Sequence, residues 1–497
     1  MAMSGLSTRS ADRDNASVAV ATLWATYLLA LPFHRVWVLP GLGLKLQPPD
    51  VVFLGLAAAS ALLWMRRGFG WRFAILDAAA AAWLATSMLA FAWSSEPRSR
   101  DGLLDTLSAA YLVGLYLAVR VTASPRLLDR FGDWFAYSAA LAAALGIAGS
   151  LASSAGFANR LATAALTPVP YLGHAARAQA FTAGPQMLAS ILLMAIPLFV
   201  ARRATEGWRR RDRALILLLV LGLGATFSKT AMCLVAALSV MWASAALDGQ
   251  GQRSRRLRAR VWMAAAIWSI VALTFVLGSH VMVLRQAAVP AMTTAQLVGG
   301  RPLASFRWRH EAWVVMPTTY LFNIEASLQA IRRAWPAGVG PAGQPAFTSR
   351  LQREGRFPGT IWIITPHSTY LGTAAERGAA GLAALLLILV AAGMTINRLP
   401  ADSARLRWEA AAYAGVGAAF LIEAISTDLL NCRHYWFLLA VMAARLDSRA
   451  RGGVRKRPAN SSVAADEKGA ALCPATAAHR DDARSGQQHR QHDERPF

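Results

Sequence analysis

Three polar stretches stand out in the second half of a largely apolar chain: RPLASFRWRHEAW at 301–313, WPAGVG at 335–340 and PHSTYLGTAAERGAAG at 366–381. Across residues 281–369 the sequence holds no apolar run long enough to cross a bilayer, whereas such runs recur on both sides. A polar segment between two groups of apolar segments is typical of a membrane protein with one large extramembrane loop. We therefore predict that this loop is the functional insert.

The composition also indicates a membrane protein. Of the 497 residues, 55% are hydrophobic and 16% are charged, whereas a soluble protein carries about 25% charged residues. The predicted fold class is therefore an all-α polytopic membrane protein. The net charge of +24 would also suit a nucleic-acid binder. The basic residues, however, lie mainly in short loops between apolar segments, where membrane topology explains them, so no nucleic-acid partner is predicted.

About twelve segments are predicted to be transmembrane helices. They cover residues 17–34, 50–65, 74–93, 103–120, 134–153, 186–201, 214–227, 230–247, 261–279, 379–397, 409–427 and 434–446. If the N-terminus is cytoplasmic, arginine-rich loops alternate with loops that hold few basic residues, as the positive-inside rule requires. The alternation predicts that both termini are cytoplasmic and that the long loop lies on the outer face.

Four regions follow from this topology. Residues 1–279 form helices one to nine, residues 280–368 the large and partly helical outer loop, residues 369–447 helices ten to twelve, and residues 448–497 a disordered cytoplasmic tail. The outer loop holds nine arginines and three glutamates. Loops of this length are exempt from the positive-inside rule, so the excess arginine reflects either solvation and headgroup contact or an anionic ligand.

Two arginines of the outer loop are candidates for binding phosphate. Arg309 and Trp313 are four residues apart and would share one face of a helix, so the simpler interpretation is an amphipathic helix at the membrane interface. Alternatively, Arg307 or Arg309 binds phosphate oxygens, because a guanidinium group matches them with two hydrogen bonds. The sequence leaves both interpretations open.

The end of the loop offers a turn, a histidine and an acid. Gly338 and Gly340 lie between two prolines, where the backbone can approach a ligand closely. His367 can accept a proton near neutral pH and so activate a hydroxyl group, although a lone histidine is more often structural. Glu376 lies near the start of the next span, where an acid needs a partner such as Arg377, Arg433 or an arginine of the loop.

Two further cations are predicted to face outward. Lys229 lies in the sequence TFSKT, in a tight turn between two spans, and Arg177 lies in the loop between helices five and six. Lys229 can simply extend its ammonium group towards water, or it can join Arg177 in a positively charged cavity. The three cysteines and the acidic residues show no metal-binding spacing, so no metal site is predicted.

The order of these motifs resembles the O-antigen ligase and polymerase superfamily, membrane enzymes of bacterial envelope polysaccharides. In the outer loop and beyond, the matching positions are Arg309, Trp313, Pro336, Gly338, Gly340, His367, Ser368, Tyr370, Leu371, Glu376, Gly378 and Gly381. Upstream, they are Arg177, Phe181, Pro185, Ser228 and Lys229. The chain departs from the family pattern at two positions, with Lys229 in place of arginine and Ser368 in place of the commoner asparagine.

The resemblance implies a metal-independent, C-type glycosyltransferase of the bacterial inner membrane that needs no cofactor. Its donor would be a glycan linked to undecaprenyl pyrophosphate. Lys229 and Arg309 would bind the pyrophosphate, His367 would be the base that assists the acceptor hydroxyl, and Arg177 would support the donor site. The other residues expected in the substrate site are Arg307, Trp313, Gly338, Gly340, Ser368, Tyr370 and Glu376.

The function that this reading favours is a ligase that moves a glycan from its lipid carrier to an acceptor such as lipid A-core. A polymerase that extends the lipid-linked glycan is the first alternative. The sequence does not distinguish the two, because the acceptor site would lie in poorly patterned helices. A transporter or flippase is an alternative from a different class. Transporters often have helices interrupted by Gly or Pro at corresponding positions of two halves, and the sequence shows no such pair, which argues against transport.

Overall fold

The apolar segments of the sequence fold into long α-helices. The computed structural model describes residues 4–34, 37–38, 45–67, 73–94, 99–163, 167–169, 173–245, 254–286, 302–357, 367–399 and 402–455. Within them lie fourteen α-helices: α1 Ser4–Ala30, α2 Pro48–Arg67, α3 Ile75–Ala92, α4 Arg100–Thr122, α5 Pro125–Ser154, α6 Pro185–Glu206, α7 Arg210–Ala225, α8 Cys233–Ala245, α9 Ser254–Gly278, α10 Thr319–Ala334, α11 Gln344–Arg353, α12 Thr369–Arg398, α13 Ala404–Glu423 and α14 Arg433–Arg455. Each of the twelve predicted segments overlaps one helix, and α10 and α11 are additional helices within the predicted outer loop.

Seven of the described helices are long and apolar enough to cross a membrane: α2 to α6, α9 and α12. Two shorter apolar helical segments cover Ser17–Ala30 and Lys229–Ala245. Large apolar side chains are exposed along α9, among them Met263, Ile267 and Ile270, which suits contact with lipid rather than water. The helices therefore indicate a multi-pass membrane protein, while the number of about twelve spans stays a prediction.

Helix α6 lies at the centre of the helical core. Every residue from Leu188 to Phe199 is buried, and the helix packs against α5, α7, α8 and α13. Because these residues are buried on every side of the helix, α6 has protein neighbours all round. This central position brings the first turn of α6 close to elements that are distant in the sequence.

Ion pairs join helix ends within the bundle. Arg445 of α14 pairs with Asp129 of α5 and with Glu409 of α13, each at 2.9 Å. Arg433, at the other end of α14, pairs with Asp50 of α2 at 2.7 Å. Part of the large positive charge is therefore neutralised inside the protein, because these arginines bind carboxylates of neighbouring helices.

The described residues also contain seven short strands, which the sequence did not predict. They are β1 Trp37–Val38, β2 Lys45–Leu46, β3 Thr167–Val169, β4 Gly173–Ala175, β5 Val281–Arg285, β6 Ala304–Trp308 and β7 Glu311–Pro317. The first four form two antiparallel pairs, β1 with β2 and β3 with β4, and the last three form an antiparallel sheet in the order β5–β7–β6. The described part of residues 280–368 is thus partly helical, as expected, and partly β-sheet.

The sheet shows that the helix suggested for Arg309 and Trp313 is wrong. Arg309 and His310 form the two-residue connection between β6 and β7, with φ angles of 50° and 67°. Positive φ at both positions is the geometry of a tight hairpin turn. Trp313 lies within β7. A spacing of four residues fits a helix, but β6 and β7 also hold aromatic and β-branched residues, namely Phe306, Trp308, Trp313, Val314 and Val315, which pack well on a pleated sheet.

Helix α12 is interrupted near its beginning. Gly378 has φ 63° and ψ −156°, which are not helical angles. The break lies directly before residue 379, where the apolar run of the sequence begins. At the other end of the chain, α14 continues to Arg455, so residues 448–455 of the predicted disordered tail are helical. Residues 456–497 lie outside the described residues.

Candidate functional site

Lys229 is held against an aromatic ring. It begins a 3₁₀ turn, Lys229–Met232, that connects α7 to α8. Its Nζ donates a hydrogen bond to Ser279 Oγ at 3.1 Å and lies 3.6 Å from the centre of the Tyr320 ring. A cation over a tyrosine face is attracted by the negative potential of the ring. Lys229 therefore turns towards α10 instead of simply extending into water.

Tyr320 stands at the centre of a group of polar side chains. Its hydroxyl accepts a hydrogen bond from Gln186 Nε2 at 3.0 Å. The ring of His367 packs edge-on against it, with ring centres 5.2 Å apart, and the ring of His280 lies at 5.9 Å. We call Lys229, Gln186, His280, Tyr320 and His367 the Tyr320 cluster. Four separate parts of the chain, around α6, the 3₁₀ turn, the end of α9 and α12, thus meet at one residue of α10.

His367 has the electrostatic environment of a base. It directly precedes Ser368, whose Oγ accepts a hydrogen bond from Leu371 N at 3.4 Å and so caps α12. Burial, and then the charge of Lys229, lower the pKa of His367 below its ordinary value, which is about 6.5. The imidazole is therefore neutral at pH 7 and can accept a proton.

Arg177 lies beside the turn that carries Lys229. Its Nε donates a hydrogen bond to the carbonyl oxygen of Thr226 at 2.8 Å. Burial lowers the pKa of Arg177, but an arginine stays charged at neutral pH. The two upstream stretches that carry the resemblance, ARAQAFTAGPQ and TFSKT, therefore contact each other and place two cations in one region.

Arg307 and Arg309 are not brought to this region. Both are exposed, Arg307 in β6 and Arg309 in the hairpin turn. At the other end of β7, Thr318 N donates to His280 O at 3.0 Å, next to the Tyr320 cluster. With a rise of about 3.4 Å per residue, the length of β7 places the turn about 20 Å from that end. Trp313 faces a cation of its own sheet, because Arg285 Cζ lies 5.6 Å from its ring centre.

Gly338 and Gly340 contact the protein's own backbone. Val339 N donates to Ala375 O, Gly340 N to Glu376 O and Ala379 N to Pro336 O, each at 2.9 Å. We call this contact between residues 336–340 and 375–379 the glycine clasp. A Cβ on Gly338 would lie 2.5 Å from the carbonyl oxygen of Glu376. A Cβ on Gly340 would lie 2.5 Å from Cβ of Ser94. Gly338 is therefore needed for the close approach of two backbone segments and Gly340 for the contact with Ser94, which differs from the expectation that they approach a ligand.

Comparison with known proteins does not identify a family for this chain. Neither protein-family models nor curated proteins match this chain. Among the described residues, no three His, Cys, Asp or Glu side chains lie close enough together to form a metal site. A functional assignment therefore depends on the chemistry of the residues themselves.

The last two predicted site residues have structural partners. Tyr370 Oη donates to the carbonyl oxygen of Leu421 at 3.0 Å and so joins α12 to α13. Glu376 is buried, and its carboxylate lies 3.8 Å from Arg377, which is also paired with Asp105 of α4. The expectation that Glu376 has an arginine partner is confirmed. Both residues stabilise the beginning of α12, which carries His367 at its N-terminal side.

Proposed function

We propose that this protein is a membrane glycosyltransferase that moves a glycan from an undecaprenyl-pyrophosphate carrier to an acceptor hydroxyl, such as one on lipid A-core, at the periplasmic face of the inner membrane. The observation that carries the proposal is the placement of a cation, Lys229, and a neutral imidazole, His367, on the ring of Tyr320. The ammonium group of Lys229 can bind a pyrophosphate, and the imidazole of His367 can accept the proton of an acceptor hydroxyl. Both groups lie at the predicted outer end of the helices, where a lipid-linked donor would present its headgroup.

The chemistry requires one bond to form and one to break. The acceptor oxygen attacks the anomeric carbon of the first sugar, and the bond from that carbon to the pyrophosphate oxygen breaks. His367 takes the proton of the hydroxyl group. The electron pair of the broken bond leaves with the pyrophosphate, whose growing negative charge Lys229 and Arg177 stabilise. The activated sugar–phosphate bond drives the reaction, so no nucleotide is consumed.

An apolar cleft supports a lipid-linked substrate. It lies between α12, α13 and α14, has a volume of about 340 Å³, and is lined by side chains such as Leu389, Val416 and Leu439. A hydrocarbon chain gains about 0.8 kcal/mol for each CH₂ group that leaves water. A polyprenyl chain in a bilayer has already left water, so it does not gain this free energy again on entering the cleft. The cleft would instead order part of the chain by van der Waals packing.

The proposal is tested with purified protein in nanodiscs that contain an undecaprenyl-pyrophosphate glycan and lipid A-core, with a chelator and without nucleotide. We expect glycan on the lipid A-core, measured by the mobility of the product and by mass spectrometry. Longer lipid-linked chains with an unchanged acceptor would identify a polymerase. Movement of the donor across the bilayer without a new glycosidic bond would instead identify a flippase and contradict the proposal.

The pH dependence of transfer tests the role of His367. As the pH falls through the pKa of His367, the imidazole gains a proton and can no longer act as a base, so kcat/KM decreases on the acid side. Because burial and Lys229 lower this pKa, the midpoint is expected below about 6.5. Lys229→Met removes the second cause and should move the midpoint of the residual activity upward.

His280→Asn is the control for this pH profile. His280 contacts the same tyrosine, and burial also lowers its pKa, but its Nδ1 is engaged 2.9 Å from Leu277 O. We expect the acid limb to persist in His280→Asn and to disappear in His367→Gln. An unchanged limb in a folded His367→Gln protein would show that another group is the base.

A further inference from the structure

A buried carboxylate accepts a hydrogen bond from Thr230, the residue that follows Lys229 of the Tyr320 cluster. Glu423, the last residue of α13, is 1% exposed. Its Oε1 accepts a hydrogen bond from Thr230 Oγ1 at 3.1 Å, and its Oε2 accepts one from Tyr435 Oη at 3.3 Å. Both partners are hydroxyl donors, and an ionised carboxylate is an acceptor only. The hydrogen bonds therefore favour the charged form of Glu423.

From Glu423 a chain of hydrogen bonds continues deeper into the bundle, and each donor in it points towards the carboxylate. Ser190 Oγ donates to Tyr435 Oη at 3.2 Å and lies 3.0 Å from His434 Nε2. Because the Ser190 proton points to Tyr435, His434 must donate from Nε2 to Ser190. The sequence of donors, from His434 through Ser190 and Tyr435 to Glu423, thus ends on the carboxylate. Such an arrangement stabilises a negative charge at that end.

Glu423 nevertheless needs a cation. Within the described residues it has no arginine, lysine or histidine nitrogen within 4.0 Å, and a buried carboxylate without compensation is costly. The residue next to Thr230 is Lys229, and the charges of Lys229 and Glu423 act on each other. Covalent adjacency and the Thr230 hydrogen bond therefore link the lysine of the Tyr320 cluster to this acid.

The other groups around Lys229 do not supply negative charge. The end of α9 contributes Ser279 and His280, and α10 contributes Tyr320. Three further residues interact electrostatically with Lys229: Arg177, Cys233 and His367. These groups are neutral or cationic at neutral pH. Glu423 is thus the acid that balances Lys229 among the groups that act on it.

We propose that Glu423 is the counter-ion of Lys229, a positioning residue that keeps the ammonium group charged and directed towards the anionic substrate. Thr230 and Tyr435 each donate a hydrogen bond to this carboxylate, and both bonds are stronger when it is ionised. The consequence for catalysis rests on the proposed function, whereas the electrostatic link between the two residues does not. The link can therefore be tested without substrate.

The experiment measures the reactivity of Lys229 itself. The purified protein is treated with a limiting amount of an amine-acetylating reagent across neutral and alkaline pH, and the modified Lys229 peptide is quantified by mass spectrometry. An uncharged amine reacts and an ammonium group does not. In Glu423→Gln the counter-ion is lost, so we expect about tenfold more labelling at neutral pH, which corresponds to a change of about one pH unit. Glu376→Gln, a buried carboxylate paired with Arg377 instead, should leave the labelling unchanged.

The outcomes separate this inference from the proposed function. Unchanged Lys229 labelling in folded Glu423→Gln protein would overturn the counter-ion assignment. If that variant does not fold, Thr230→Val removes one hydrogen bond to the carboxylate with little change in shape, and a smaller increase in labelling is expected; no increase would also overturn it. If labelling changes as expected while the wild-type protein transfers no glycan, the counter-ion stands and the proposed function fails.

Discussion

Replacing Gly378 with alanine is expected to lower the free energy of unfolding by about 3 kcal/mol or more. Its φ of 63° and ψ of −156° lie in a region that is essentially restricted to glycine, and other residues there carry about 1–3 kcal/mol of strain. In addition, a Cβ at this position would overlap the carbonyl oxygen of Pro336 in the glycine clasp. Overpacking of this kind costs about 1–3 kcal/mol. Strain and overlap act together, because the clasp cannot move without losing the hydrogen bond from Ala379 N to Pro336 O.

The measurement is thermal unfolding of the purified protein in detergent, and the matched control is Gly393→Ala. Gly393 lies in the same helix, and a Cβ there meets no described atom within 4 Å. Alanine also has the higher helix propensity. The control should therefore unfold at the wild-type temperature or slightly above it. A Gly378→Ala protein as stable as the control would show that α12 does not require its break.

Gly378 also illustrates how much of the structure the sequence can predict. The twelve apolar segments coincide with helices because the backbone of an apolar segment in a bilayer has no hydrogen-bond partner outside its own helix, while seven of the described helices have the length and apolarity of a span. The order of glycines and prolines predicted a turn. It could not predict that Gly338 and Gly378 belong to one contact, since their partners are backbone atoms of a distant segment.

The Tyr320 cluster shows the corresponding limit for the site. The sequence makes Lys229, Arg177 and His367 candidates because they match motifs of the family that the chain resembles, although a structural role is also open for the lysine and the histidine. Tyr320 and Gln186 gave no such signal, and they are 134 positions apart in the chain. Arg309 was a candidate for the same site, but the hairpin between β6 and β7 holds it at the far end of a strand. Spacing along a sequence predicts a shared helix face only when the segment is a helix.

Lys229→Met is expected to reduce kcat for glycan transfer by about 10²- to 10³-fold, the effect of removing one group that stabilises charge in a transition state. Methionine keeps the length and the apolar stem of the side chain but removes the charge that lies over Tyr320 and near Glu423. The effect should appear in kcat more than in KM, because the pyrophosphate gains negative charge as the glycosidic bond breaks. Transfer is measured in the same nanodisc assay, and the thermal midpoint is measured in parallel.

Two variants decide whether charge at this position is the cause. Lys229→Arg keeps the cation and introduces the residue found at this position in the family pattern that the sequence resembles, so we expect activity within about tenfold of wild type. Arg309→Ala removes a cation of the hairpin turn, about 20 Å along β7 from the Tyr320 cluster, and should cost less than Lys229→Met. If Arg309→Ala abolished transfer while Lys229→Met stayed active, the pyrophosphate would have to bind near the hairpin. The Tyr320 cluster would then serve the architecture of the outer loop, since its rings and hydrogen bonds connect α6, α10 and α12 whether or not a substrate is bound.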